Sequence, residues 1–517
     1  MVTNQRLSPL HVILPFLAGL LLLSCAGQHP PFTPENIHWV EDDKRDIGDA
    51  NFADPLLIWQ TIDRTIFWQY YQSVDIDRNL GILFGDPRQA YNVNAFDEVP
   101  NSTWYTNRHA FEPLTPEQIK RGPFGPDGNA GPDTGRTWRV FRPKIQGATV
   151  GFWIEDARGD KYIIKLDPLD YPEMATAAAA MASRFFWACG YNVPQENIVY
   201  FRPEILEIQE GATIKDAQGV KRTFTQSDLK SILGKVHIRD DGTIRALASK
   251  LLPNVRGPFS FTGTRAGDPN DWCDHEHRRE LRALYVPCSF INHYDMKDQN
   301  TMDILVTEGD RSYLKHYLID FGSSFGSDGK GPKNRKRGHA ATFDPGEVMG
   351  SLFTLGLHKW NWETDWQVEY PSIGYFVAEP FDPPNYTPIY PNPAWENMTN
   401  RDAYWGAKLV MAFREEHLRA LVEAGQFSNP AAEQYLLQTL MDRREQIGRY
   451  WFSKVNPLDH FTYAHDPSGI TITFDDLNVY YRLDDSSPVS YQWEMHYRGK
   501  RLWDPTSITE TSLILNS

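Results

Sequence analysis

The stretch INHYDMKDQNTMDIL, residues 291–305, sets an acid (Asp295), a base (Lys297) and an amide (Asn300) in one short loop. Further on, a second acid, Asp320, opens the tripeptide Asp-Phe-Gly. Far upstream, Lys165 ends the run YIIK (162–165), with Glu173 shortly after it and the glycines Gly147 and Gly151 shortly before. These are the types that can take a proton, hold a charge or orient a polar group. Singly they have ordinary explanations. Acids and amides in loops are common turn residues. A lone strand lysine is usually a solvated edge, and an acid at a helix start is favoured by the helix dipole. Whether they act together depends on the elements that carry them.

Those elements can be read from periodicity and punctuation. Residues 274–291, DHEHRRELRALYVPCSFI, have Leu281, Leu284, Tyr285 and Cys288 on one helical face, and Pro287 predicts a kink or an early end. After the 295–300 loop, MDILVT and YLKHYLID are strand-like, joined by a turn at EGDR. TWRVFRPKIQ, VGFWIEDA and KYIIKLDP are β-prone runs separated by GATVG (147–151) and RGD (158–160), which suit hairpins. DYPEMATAAAAMASRFFWACGYNVP (170–194) predicts a helix, with Pro172 in its first turn, alanines inside, and Gly190 and Pro194 at its end. ENIVYFRPEILEI follows as one or two strands. Residues 136–210 therefore read as antiparallel sheet, helix, sheet. Helical patterns return at 345–357, 401–424 and 429–453, and alternating runs from about 466 to 517 predict a small β appendage. Ahead of the sheet, residues 51–135 form an extension that begins with helical spacing over 54–72. Its aromatic NSTWYTNR (101–108) is expected to pack on the core, and the Gly/Pro/Asp run 122–135 is a loop and a candidate boundary.

HYDMKDQN (293–300) has the spacing H-x-D-x-K-x-x-x-N, followed by Asp320-Phe321-Gly322 and preceded by a glycine hairpin, a strand lysine and a helix glutamate. In this order the set resembles the protein-kinase-like fold. The resemblance covers about 136–325 and, more loosely, the helices to 453. It implies an α+β, bilobal architecture. An antiparallel sheet and a helix form an N-lobe (136–210), and a mainly helical C-lobe spans 211–465. It also implies roles. Asp295 takes or orients the proton of an acceptor hydroxyl, and Lys297 neutralises charge on the group in transfer. Asn300 and Asp320 hold Mg²⁺, and Lys165 contacts the phosphates of ATP or another nucleotide and is held by Glu173. Gly147 and Gly151 let the hairpin backbone close over those phosphates. This sequence departs from the pattern where Tyr294 replaces the usual arginine, where no Ala-Pro-Glu closes an activation segment, and where GATVG is a reduced glycine loop. An atypical branch, nearer small-molecule, lipid or toxin-type kinases, is implied, without control by a phosphorylated activation loop. KGPKNRKRGH (330–339) reads as a solvated basic loop, with attraction of an anionic acceptor as its other reading.

Compartment and partners are bounded by the rest of the chain. With 517 residues it has room for two to four domains, and a formal net charge of −15 argues against nucleic acid as a partner. VILPFLAGLLLL (12–23) is short for a membrane span and reads as a secretory h-region. LLSC (22–25) resembles a bacterial lipobox, in which Cys25 is lipidated after removal of residues 1–24, and Ala26 lacks the inner-membrane retention signal. The expectation is a lipid anchor in the bacterial envelope, at the outer membrane facing the periplasm, with residues 25–50 as a tether. Cys189, Cys273 and Cys288 form no zinc or disulfide framework pattern. Two function classes stay open. One is an exported phosphotransferase acting on an unidentified acceptor. The other is a pseudokinase or structural envelope lipoprotein that serves as a scaffold.

Overall fold

A computed structural model describes residues 37–53, 57–124, 131–144, 149–215, 220–341, 350–360, 362–363, 367–466, 469–483, 489–497 and 500–516. Gly147 and Cys25, both singled out above, lie outside the described residues.

The chain first lies as a strap against its own body. Glu41 N donates to Asn101 O at 2.8 Å, Asn101 N returns a bond to Trp39 O at 2.8 Å, and Ala53 N reaches Arg256 O at 2.9 Å. Asp43 is buried and accepts from Thr103 N and Oγ1 at 2.6 and 2.7 Å. The tether expected over 25–50 is thus corrected for residues 37–50. Their polar composition serves backbone pairing to the core. Helices α1 (Leu57–Ile62), α2 (Trp68–Val74) and α3 (Ile76–Phe84) follow, with a π-helical turn at Asp63–Phe67 between the first two. Asp75 caps α3 by accepting from Arg78 N, and Gly85 at φ 75° ends it.

The central sheet has six strands in the order β4-β8-β3-β2-β1-β5. These are β1 (Trp138–Lys144), β2 (Gly151–Glu155), β3 (Lys161–Leu166), β4 (Glu196–Phe201), β5 (Leu206–Ile208) and, after a short hairpin β6 (Thr213–Lys215) and β7 (Lys221–Thr223), β8 (Ile244–Lys250). The meander β1–β2–β3 is antiparallel, as the turn residues predict. The end expected at 210 is corrected: β8 inserts between β3 and β4, so the sheet unit runs to 250. Helix α4 (Met174–Cys189) crosses behind the sheet with every residue but Trp187 buried. Its alanines leave room for the close approach this demands.

The second unit is mainly helical. The predicted helix 274–291 is broken into a 3₁₀ turn at His275–His277, α5 (Arg279–Ala283) and α6 (Tyr285–Phe290). The interruption at Leu284 is the kink that Pro287 predicts, since the proline has no N–H to give to Ala283 O. The proline lies in the first turn of α6, where its missing N–H leaves no bond unmade. Strands β9 (Thr301–Glu308) and β10 (Arg311–Leu318) form a hairpin in full register, Thr301 opposite Leu318. Helices α7 (Asn400–Met411), α8 (Glu415–Glu423) and α9 (Pro430–Phe452) complete the core around Leu281, Leu284, Trp405, Leu418 and Leu436. The appendage starts at β11 (Leu458–Asp466), earlier than expected; β12 (Gly469–Asp476) lies between β11 and β15 (Ser512–Asn516) and pairs with both, and β13 (Tyr491–Tyr497) and β14 (Lys500–Ile508) form a separate hairpin. Cys189, Cys273 and Cys288 are buried free thiols. NSTWYTNR packs inward as expected, Trp104 stacking on His316 at 3.5 Å. No described helix is long and apolar enough to cross a membrane.

Candidate active site

Between sheet and helical unit lies a cavity of about 230 Å³, lined among others by Lys144, Lys165, Asp295, Lys297, Asn300 and Asp320. The hairpin explains how residues distant in sequence meet there. Asn300 immediately precedes β9 and Asp320 follows soon after β10, so strand pairing brings them to the same end. The ladder continues one step further, with Ile319 N donating to Asn300 O at 2.9 Å. Asp320 takes a left-handed backbone (φ 62°, ψ 62°), and Phe321 behind it is fully buried against Phe186 of α4, 5.3 Å between ring centroids. Burial of Phe321 aims Asp320 at the cavity.

The loop is tightly knit. Lys297 Nζ donates to Asp295 Oδ1 at 2.6 Å. Asn300 Nδ2 donates to Asp295 O at 2.7 Å and Oδ2 at 3.1 Å, leaving the amide oxygen of Asn300 for another partner. Burial raises the Asp295 carboxyl above its ordinary range, against the pull of Lys297 and Asn300. Asp320 is the opposite case. The Lys165 ammonium, 2.8 Å from its Oδ1, holds the carboxyl down at about 2 although burial opposes this. So burial favours the neutral form of one acid, and Lys165 favours the ionised form of the other.

Lys165 comes from β3 and is buried. Burial alone would lower its basicity, but Asp320 and Glu196 together raise it. Glu196 is the carboxylate the sequence did not disclose. It opens β4, is fully buried, and its Oε1 lies 3.8 Å from Lys165 Nζ. Glu173, expected to hold Lys165, does not. Asp167, just past β3, accepts from Glu173 N, Ala175 N, Thr176 N and Thr176 Oγ1 at 3.0, 2.9, 2.9 and 2.6 Å and so caps α4. That turn forces Glu173 to φ 73°, and its side chain points away to accept from Ser428 N at 3.0 Å. Pro172 and Glu173 accordingly precede the helix; neither lies in its first turn.

Gly151 also differs from expectation. A Cβ there would stand 1.9 Å from Ile164 O, so the glycine is required by the crossing of β2 and β3. Its row in the sheet is informative. Lys144, Gly151, Lys165 and Leu247 are successive cross-strand partners and share a face. Lys144 thus joins Lys165 at the cavity across a residue without a side chain. Its Nζ donates to Thr149 O at 2.7 Å, and burial, with Lys165 adding to it, lowers its pKa to about 8. Sequence reasoning missed Lys144; its position at the end of the strand before the glycine loop was the available signal.

The basic run is not simply solvated. Lys333 is fully buried, donating to Phe325 O at 2.6 Å and to Asn292 O. Arg337 and Lys333 lie over the ring of Tyr294 at 4.7 and 5.2 Å. Where the resemblance expects an arginine in the loop, the loop has a tyrosine and the cations come from 330–339.

No protein-family model matches the chain, and no curated protein does. Among solved structures it is similar to the Helicobacter pylori proinflammatory kinase CtkA at 9% sequence identity and a TM-score of 0.32, over 61% of this chain and 95% of that one. It is also similar to the Golgi casein kinase at 10% identity and a TM-score of 0.29, over 82% of this chain and 92% of that one. The same kinase with Mn/ADP bound matches at 10% identity and 0.29, over 80% and 92%. At such scores these likenesses carry no weight for function, which rests on the geometry of the cleft.

Proposed function

We propose that the chain is a kinase-like phosphotransferase that takes a divalent-metal nucleotide, Mg²⁺ with ATP being the expected pair, and phosphorylates a hydroxyl acceptor. The observation that supports this is the meeting of Lys165, Asp320, Asp295, Lys297 and Asn300, from β3, the β9–β10 hairpin ends and one loop, on a single cavity. Phosphoryl transfer asks for positioning and charge neutralisation more than covalent help, and these residues supply both. Lys165 and Lys144 face the donor phosphates, and Glu196 keeps Lys165 charged and in place. Asp295 receives the proton of the acceptor hydroxyl, and Lys297 neutralises charge on the group in transfer. The carboxylate of Asp320 and the amide oxygen of Asn300 fit a hard cation that keeps waters and phosphate oxygens in its shell, so they would hold Mg²⁺. That ion, when bound, supplies charge neutralisation on the phosphates.

The same reading places the protein in the bacterial envelope, anchored through a lipid on Cys25 at the outer membrane and facing the periplasm. The lipobox-like LLSC supports this. Mass spectrometry of the mature N-terminus tests the anchor, and an unmodified residue 25 or a retained 1–24 segment rejects it. Calorimetric titration of ATP and ADP, with Mg²⁺ or Mn²⁺, tests the activity. Saturable metal-dependent binding is expected. Its absence with both metals leaves the scaffold reading in place of the enzyme.

A further inference from the structure

The loop that carries Asp295, Lys297 and Asn300 is held from outside by the N-terminal extension. Its holding point is Asp298, between Lys297 and Asn300. Arg64, in the π-helical turn Asp63–Phe67 and buried at 8% exposure, donates from Nη2 to Asp298 Oδ2 at 2.9 Å and to Ser260 Oγ at 2.7 Å. Its Nη1 donates to Asp63 Oδ2 at 2.7 Å, which completes the orientation of the guanidinium fork. Gln60 Nε2 reaches the same Asp298 oxygen at 3.3 Å. The other oxygen of Asp298 accepts from Phe261 N at 3.3 Å, and its carbonyl accepts from Thr301 Oγ1 at 2.6 Å.

The extension has a footing of its own. Trp68 Nε1 and Gln69 Nε2 donate to the two oxygens of Glu396 at 2.6 and 2.7 Å, and Arg78 Nη2 donates to Glu396 O at 3.0 Å. So Arg64 is carried by an element fixed to the helical unit and reaches across to the loop. A buried Arg–Asp pair yields little net stability once both charges are desolvated. What it supplies is a fixed placement. π-helical turns are rare and occur often at functional sites, and this one brings Arg64 inward.

We propose that Arg64 is a positioning residue which, through Asp298, sets the placement of Asp295, Lys297 and Asn300, and that the N-terminal extension is therefore a working part of the site. Its catalytic consequence rests on the phosphotransferase reading; its mechanical consequence does not.

The test uses the full chain and two readouts. Backbone hydrogen exchange over 295–300 should be about tenfold faster in Arg64→Ala than in wild type, because local opening is no longer restrained. Turnover in metal-dependent ATP hydrolysis should fall about 10- to 100-fold, as small misplacements of reacting groups do, with the Kd for Mg²⁺–ADP changed less than about threefold. Asp298→Asn should show the same loss, and the double variant should be no worse than the poorer single one. Arg64→Lys should recover part of the rate. Leu83→Ala, an exposed residue of α3, should match wild type. Unchanged exchange over 295–300 in Arg64→Ala overturns the proposal, as does a double variant whose losses add. If wild type binds no metal–nucleotide, the phosphotransferase reading falls, and the exchange measurement still decides whether Arg64 holds the loop.

Discussion

At the scale of single residues the proposed function divides the work between the two carboxylates of the cleft, and variants should separate them. Asp320→Asn should weaken metal–nucleotide binding and turnover together, because in that reading its carboxylate would hold the cation. Asp295→Asn should leave binding nearly intact and lower the rate by about 10²–10⁴-fold, the usual range for a lost general base. Calorimetry beside a hydrolysis assay reads both. The pH profile gives a second check. A base must be unprotonated to act, and the Asp295 carboxyl is raised by burial. The rate should therefore fall as pH drops through a value above the ordinary carboxylate range, and Asp295→Asn should abolish that acid limb. The partner of Lys165 can be tested the same way. Glu196→Gln should weaken ATP binding, whereas Glu173→Gln, whose native side chain accepts from Ser428 N and points away from Lys165, should bind within about twofold of wild type. If Glu173→Gln is the damaging one, the assignment of Glu196 is wrong. Asp295, Lys297, Asn300, Asp320 and Lys165 were legible in sequence because each sits at a fixed offset from a recognisable strand or loop. Glu196 was not. A single acid at the head of an apolar strand has no offset to anything, and only the pairing of β4 with β8 shows what it faces.

At the scale of elements the sheet carries a prediction at Gly151. The Ile164 carbonyl occupies the space a side chain would need, and backbone cannot yield as the tip of a flexible side chain would. Gly151→Ala should destabilise the protein by about 1–3 kcal/mol or more, as overpacking does, read as a shift of the urea midpoint. A midpoint equal to wild type would mean that β2 and β3 can separate freely. The helix α4 was plain in the sequence, because alanines, Gly190 and Pro194 all agree. Its start was misplaced, because the cap comes from Asp167, a residue of the preceding strand end and not of the helix. The strand β8 went unseen because its neighbours in the sheet, β3 and β4, lie far back in sequence, and nothing local in RALASK announces a partner. The break at Leu284 was legible, because Pro287 cannot bond Ala283 O, but the burial of Arg279 and Arg282 on Asp402 was not, since amphipathic spacing does not encode it.

At the scale of the whole molecule the outer segments are fastened to the centre. The strap of residues 37–53 adds backbone pairing and the buried Asp43 cap on Thr103. A chain cut at residue 54 should melt about 2 °C below one cut at residue 37, the shift expected when about 2 kcal/mol is lost from a protein of this size. Equal melting temperatures would show that the strap is passive. Composition alone marked this segment as a linker, since polar residues that pair with a core look like polar residues that face water. The lysine and its buried glutamate belong to two strands of one sheet, β3 and β4, with β8 hydrogen-bonded between them. Where such a pair joins a strand to a helix, rocking the helix makes and breaks it, and that motion is a common on–off device. Here both partners stand on strands of one sheet, so movement of a helix does not part them. In the phosphotransferase reading such a site is not switched by rocking a helix, and its throttle is supply: how much donor and acceptor its surroundings deliver.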